Sequence, residues 1–200
     1  MRPLLACPHF HEQSNTATVV LVALAEWGLA PLHPDRPGPE LVLHGLLQRG
    51  PYREGGGQLP AAAVRHMASH GVRCQWLHDT ARTAALRERI CGERPEFVFT
   101  LTDDLGGPPH RPAALDQDLG EDNAIILVEA RHGTGRLPLH LLLLRRDADG
   151  FQVMNSDTGL NHACTAEQVA AHLNTPVGFG AGAFAGGMYL YTGLAIRLSR

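Results

Sequence analysis

Two hundred residues, 44% hydrophobic and 18% charged, describe one ordinary globular domain long enough to bury a core without staples. A net charge of −3 leaves no electrostatic footprint for nucleic acid. The chain has no lysine, so Schiff-base catalysis and phosphate-loop chemistry through that residue are excluded.

No run reaches the roughly 18 apolar residues of a membrane-spanning helix. Residues Met1 to Ala6 are too short for a signal-peptide core, so a cytoplasmic location is expected, with no membrane partner. The four cysteines, Cys7, Cys74, Cys91 and Cys164, include no CxxC pair. They read as free thiols in a reducing compartment.

In chain order, residues 1–13 (MRPLLACPHFHEQ) form an irregular or extended lead-in containing Cys7, His9 and His11. Ser14 or Asn15 is a good N-cap, and Thr16 to Trp27 reads as a helix stopped by Gly28. That helix is apolar on nearly all sides, which places it in the centre of the protein. A proline-rich connection leads to a short amphipathic helix, Glu40 to Gln48. A third helix runs from about Gln58 to His70, and Val72 to Leu77 is a short strand. Asp79 or Thr80 caps a fourth, arginine-rich helix, followed by a strand over 95–101 and a polar loop over 103–122. Asn123 to Ala130 is a further strand.

The stretch His140 to Gly159, HLLLLRRDADGFQVMNSDTG, carries the strongest local pattern. It reads as a buried strand, a turn at Asp147 to Gly150, and a returning strand that closes at Asn155-Ser156-Asp157. Such a hairpin brings His140 near Asn155 or Asp157, the geometry in which an amide or carboxylate orients an imidazole. Thr165 and Gln168 then form a capping box for another helix. The glycine-rich 178–187 segment lacks the context of a dinucleotide loop. A last strand runs from Met188 to Leu198. Helices first and strands after suggest α+β with a mostly antiparallel sheet.

With both ends in place, the chain resembles the papain-like cysteine peptidases, in particular the small bacterial branch related to bacteriocin leader peptidases. The resemblance rests on EQSNTATVVLVALAEWG and on HLLLLRRDADGFQVMNSDTG, about half of the chain. It implies a single domain over 1–200, with a central N-terminal helix packed on the antiparallel sheet. It also implies that His140 is the family's histidine and Asn155 the third member, with Asp157 as the alternative. Aligned on Gly28, Asn15 falls where the nucleophilic cysteine should be and Thr16 on the following glycine. Gln13, Ser14 and Asn15 then mark the cleft and oxyanion position, and His9 stands at the spacing of the family's oxyanion glutamine. A carboxamide cannot attack a carbonyl as a thiolate does.

Three functional readings follow. The first is a non-catalytic relative that binds a peptide or protein in the inherited cleft. The second is a thiol peptidase, amidase or acyltransferase with Cys7 as displaced nucleophile, His140 as base and Asn155 as orienter. The third is a zinc-binding protein using Cys7, His9 and His11, which alternate and would share one side of an extended segment, with His140 as a fourth ligand. The first two need no cofactor.

Overall fold

Helix α1, Asn15–Glu26, is buried at every residue from Asn15 to Leu24. A helix apolar all round is stable only where neighbours cover every side, and α1 has them. It packs on helices α2, Gly38–Gln48, and α3, Pro60–Ser69, and on strand β3, Leu139–Asp147. The computed structural model of the chain describes residues 4–9, 14–48, 60–78, 123–130, 139–174 and 189–200. The expected helix after Asp79, the strand over 95–101, the loop over 103–122 and the glycine-rich 178–187 segment lie outside them.

The other described elements are β1, Arg73–His78; β2, Asn123–Ala130; β4, Gly150–Asn155; β5, Leu160–Cys164; α4, Ala166–Asn174; and β6, Tyr189–Ser199. The six strands form one sheet in the order β1-β6-β2-β3-β4-β5, and every pairing is antiparallel. The architecture is therefore α+β with an antiparallel sheet, as expected. Strand β5 was not expected from the sequence. Its five residues alternate in neither hydropathy nor burial, so nothing local marks it.

The continuous leucine run of β3 is explained by burial on both faces. Leu141 and Leu143 join the core beneath α1, α2 and α3, with Val20, Leu24, Leu47 and Met67. Leu142 and Leu144 join the opposite core with Phe151, Val153 and Val169 of α4. The capping box on α4 forms in both directions: Thr165 N donates to Gln168 Oε1 at 2.8 Å, and Gln168 N to Thr165 Oγ1 at 3.1 Å. Gly28 ends α1 at φ 67°, in the left-handed region.

The lead-in segment Leu4 to His9 has no regular secondary structure. Side chains of the sheet and of α1 tie it down instead. Leu4 N donates to Gln152 Oε1 at 2.6 Å, Leu5 N to Glu26 Oε1 at 2.6 Å, and Asn161 Nδ2 to the Leu4 carbonyl. His9 N donates to the Ser156 carbonyl at 3.0 Å. Pro8 crosses so close to Gly159 (φ 66°) that a Cβ there would lie 2.9 Å from the proline ring. The segment thus ends beside the turn that joins β4 to β5.

Candidate functional site

The register of the hairpin sets the site. Leu143 pairs with Met154, so Leu142 lies opposite Asn155, and His140 lies one same-face step beyond, level with Asp157. The ladder stops at Leu143–Met154, leaving the mouth of β3 to be satisfied by other groups. Asn15, the first residue of α1, does this. Its Oδ1 accepts from Leu141 N at 2.7 Å, and its Nδ2 donates to the Leu141 carbonyl at 3.1 Å and to Ser156 Oγ at 2.6 Å. The carboxamide therefore acts as a one-residue strand that extends the ladder to the head of the helix.

His140 is buried beside it. Nε2 lies 3.0 Å from Asn155 Oδ1 and 3.5 Å from Asn15 Nδ2. The surrounding bonds fix where the protons are. Asn155 Nδ2 donates to Tyr189 Oη at 2.8 Å, and Tyr189 in turn donates to Asp157 Oδ2 at 3.1 Å. Asn155 Oδ1 is thus an acceptor, taking bonds from Asp157 N at 3.0 Å and from His140 Nε2–H. The two hydrogens of Asn15 Nδ2 go to Leu141 and Ser156, so its approach to Nε2 brings two donors together and is not a bond. On the other side of the ring, His140 Nδ1 lies 3.5 Å from Asp157 Oδ1. The ring is thus flanked by an amide oxygen on Nε2 and a carboxylate beside Nδ1.

Tyr189 completes the enclosure, its ring stacked on that of His140 with centroids 5.4 Å apart. A register shift in the β2–β6 pairing, with Gly193 at φ 90°, separates Tyr189 from the regular part of β6. Asn155, Ser156, His140 and Tyr189 are all buried. The network meets solvent through Asp157 and His9, whose side chains are 28% and 21% exposed. His9 Nδ1 stands 3.4 Å from Asp157 Oδ1 and 3.3 Å from Ser156 Oγ.

The structure thus brings together His140, Asn155, Asp157, Asn15 and His9. Both candidates for the third member are engaged, Asn155 on Nε2 and Asp157 on Nδ1. Ser14 departs from expectation. It occupies the N-cap position but makes no side-chain cap, because its Oγ donates to the buried Glu40 carboxylate of α2. Thr16 is buried in the first turn of α1. Gln13 and His11 lie outside the described residues. Tyr189, Ser156 and the main chain of Leu141 were missed. Ser156 could have been suspected from its place between two candidates, but Tyr189 and Leu141 carry no motif.

Cys7 sits elsewhere. It is buried, its thiol donates to the Pro8 carbonyl at 3.4 Å, and it lines a small recess with Thr18, Leu21, His33, Arg36 and Glu40. Burial, with the Glu40 and Asp35 carboxylates adding to it, pushes the thiol up to about 11. A nucleophile needs the opposite shift. Cys7 and His9 have different surroundings, the thiol in the recess beside Thr18, Leu21 and Glu40 and the imidazole against Ser156 and Asp157. Among the described residues no three His, Cys, Asp or Glu side chains are grouped to hold a metal ion. Nor is any described helix long and apolar enough to cross a membrane.

No protein-family model matches the chain, and no curated protein matches it in sequence.

Burial also pushes Tyr189 up to about 12, opposed by the bond from Asn155 and reinforced by Asp157. Cys74 in β1 is pushed up to about 12 by burial alone. With Cys7, these groups ionise less readily folded than unfolded. The stability they share is complete below their ordinary values, 9.0 for the thiols and 10.0 for the phenol, and is lost as pH rises through 11 and 12. Melting temperatures measured at stepped alkaline pH should fall progressively once the thiol range is passed. A melting temperature that stays flat through pH 11 would contradict the burial of these groups.

Proposed function

We propose that this chain is a divergent, non-catalytic papain-like protein, of the bacteriocin-leader-peptidase-like branch, that binds an extended peptide or protein segment where its relatives cleave one. The observation that carries the reading is Asn15. It stands at the head of the central helix, facing His140, with its carboxamide fully used in hydrogen bonds to Leu141 and Ser156. His140 is held from both sides, by Asn155 Oδ1 on Nε2 and by Asp157 Oδ1 beside Nδ1, which supports a positioning role at the cleft. The raised Cys7 thiol supports no displaced nucleophile.

Two features support binding. Asp157 and His9 offer polar groups at the rim of the network. Strand β5, which follows the same turn, pairs only with β4 among the described residues and exposes Leu160. An extended peptide added along such an edge gains main-chain bonds, and side groups beside it give selectivity.

The direct test restores the missing sulfur. In Asn15→Cys, a thiol at a helix head beside His140 should alkylate with iodoacetamide at neutral pH about tenfold or more faster than the native thiols. Adding His140→Gln should abolish the acceleration. The unaltered protein should leave a mixed set of unstructured peptides intact while retaining some, and Asp157→Ala should lose the retained ones. Peptide cleavage by the unaltered protein that depends on His140 would end the non-catalytic reading. An unaccelerated Cys at position 15 would end the comparison with a peptidase site.

A further inference from the structure

We infer that Asp157 selects a basic side chain, arginine above all, in the segment bound at this site, and that His9 is the internal group such a side chain displaces. The inference rests on the peptide-binding reading and names the chemistry of the ligand. The carboxylate is pinned from within. Tyr189 Oη donates to Oδ2 at 3.1 Å, and the main-chain N–H of Asp157 donates to Asn155 Oδ1 at 3.0 Å. Asn155 and Tyr189 are buried, so the carboxylate has little freedom to turn. Its side chain nonetheless stays open to solvent over 28% of its surface.

The other oxygen is poorly served. Among the described residues, the groups that pair with Oδ1 are His9 Nδ1 at 3.4 Å and His140 Nδ1 at 3.5 Å. A charge-assisted bond to a carboxylate is shorter, about 2.7–2.9 Å. His9 Nδ1 is also divided, standing 3.3 Å from Ser156 Oγ. A rim carboxylate fixed in direction, with one oxygen lacking a close donor, is a place for a cation. A guanidinium suits it best, with a permanent charge and several N–H groups in one plane where an imidazole offers a single shared one. His9 already makes the two contacts that a residue of an added peptide would make. Its main-chain N–H donates to the Ser156 carbonyl at 3.0 Å, and its side chain lies beside Asp157. Pro8, packed against Gly159, holds the backbone just before it. Displacement therefore asks only for rotation of the half-exposed His9 ring and leaves the lead-in segment in place.

The test uses the full chain and two pools of fluorescein-labelled, unstructured octapeptides. The pools are alike except for arginine or its neutral isostere citrulline at one fixed position. Fluorescence anisotropy should show the arginine pool binding about tenfold or more tighter. Asp157→Asn should bring the arginine pool down to the affinity of the citrulline pool. His9→Ala should tighten the arginine pool more than the citrulline pool, and it tests the assignment independently of how Asp157→Asn folds. Equal binding of the two pools to the unaltered protein overturns the inference and leaves the peptide-binding reading standing, whereas binding of neither ends both. An arginine preference that persists in Asp157→Asn overturns the role of the carboxylate. A looser arginine complex in His9→Ala overturns the role given to His9.

Discussion

Asn15→Leu should cost the protein on the order of 4 kcal/mol, because leucine keeps the volume and removes every hydrogen bond. The substitution strands the buried N–H and C=O of Leu141 and leaves the Ser156 hydroxyl only its contact with His9 Nδ1. A buried polar group left unpaired costs roughly 1–3 kcal/mol, and partial relaxation of the turn should recover some of the sum. For a chain of this length the loss corresponds to a drop in melting temperature of roughly 8–16 °C. Asn15→Asp should be no better. It keeps the acceptor for Leu141 N but faces the Leu141 carbonyl with a second acceptor in place of a donor. Thermal melts of both variants check the claim. A shift of only a degree or two in Asn15→Leu would show that the carboxamide does not hold the helix to the hairpin.

The second large effect concerns Glu26 at the other end of α1. Its carboxylate pairs with Arg145 of β3 at 2.7 Å, and the two side chains are only 4% and 13% exposed. The same carboxylate accepts Leu5 N, so it also holds the lead-in segment. Glu26→Ala leaves a guanidinium in the interior without its counter-charge, which costs roughly 3–5 kcal/mol in comparable buried pairs. Removing both charges is a different matter. The double variant Glu26→Met with Arg145→Met should recover most of the loss, since apolar replacements of similar volume often match a buried ion pair. Urea denaturation of the two variants distinguishes the cases. A double variant as unstable as Glu26→Ala would mean that the pair contributes beyond its charges, through the bonds of Arg145 to Gln152 and of Glu26 to Leu5.

What could be read from the residues alone divides by range. The central helix was legible because apolar residues on all sides together with Gly28 admit few alternatives. The β3–β4 hairpin was legible because a leucine run, an acidic turn and a returning strand succeed one another without a gap. His140 and Asn155 followed, since a two-residue period and a short turn leave little freedom of register. The contacts that give the site its character were not legible. That Ser14 turns to Glu40, that Asn15 mimics a strand against Leu141, and that Tyr189 stacks on His140 are matters of tertiary packing. No spacing in the chain encodes them. Strand β5 was hidden for a related reason, as a polar edge segment owes its conformation to the β4 ladder more than to its own propensity.

The clasp between Asn15 and Leu141 joins residues 126 positions apart. The β3–β4–β5 meander, by contrast, closes over short turns. Long loops close late, since the entropy of bringing distant ends together must be met before their contacts repay it. The front helix is therefore expected to dock after the hairpin has formed, with the carboxamide as a late latch. Weakening it in Asn15→Leu should then raise the unfolding rate more than it lowers the refolding rate, which stopped-flow measurements of both would check.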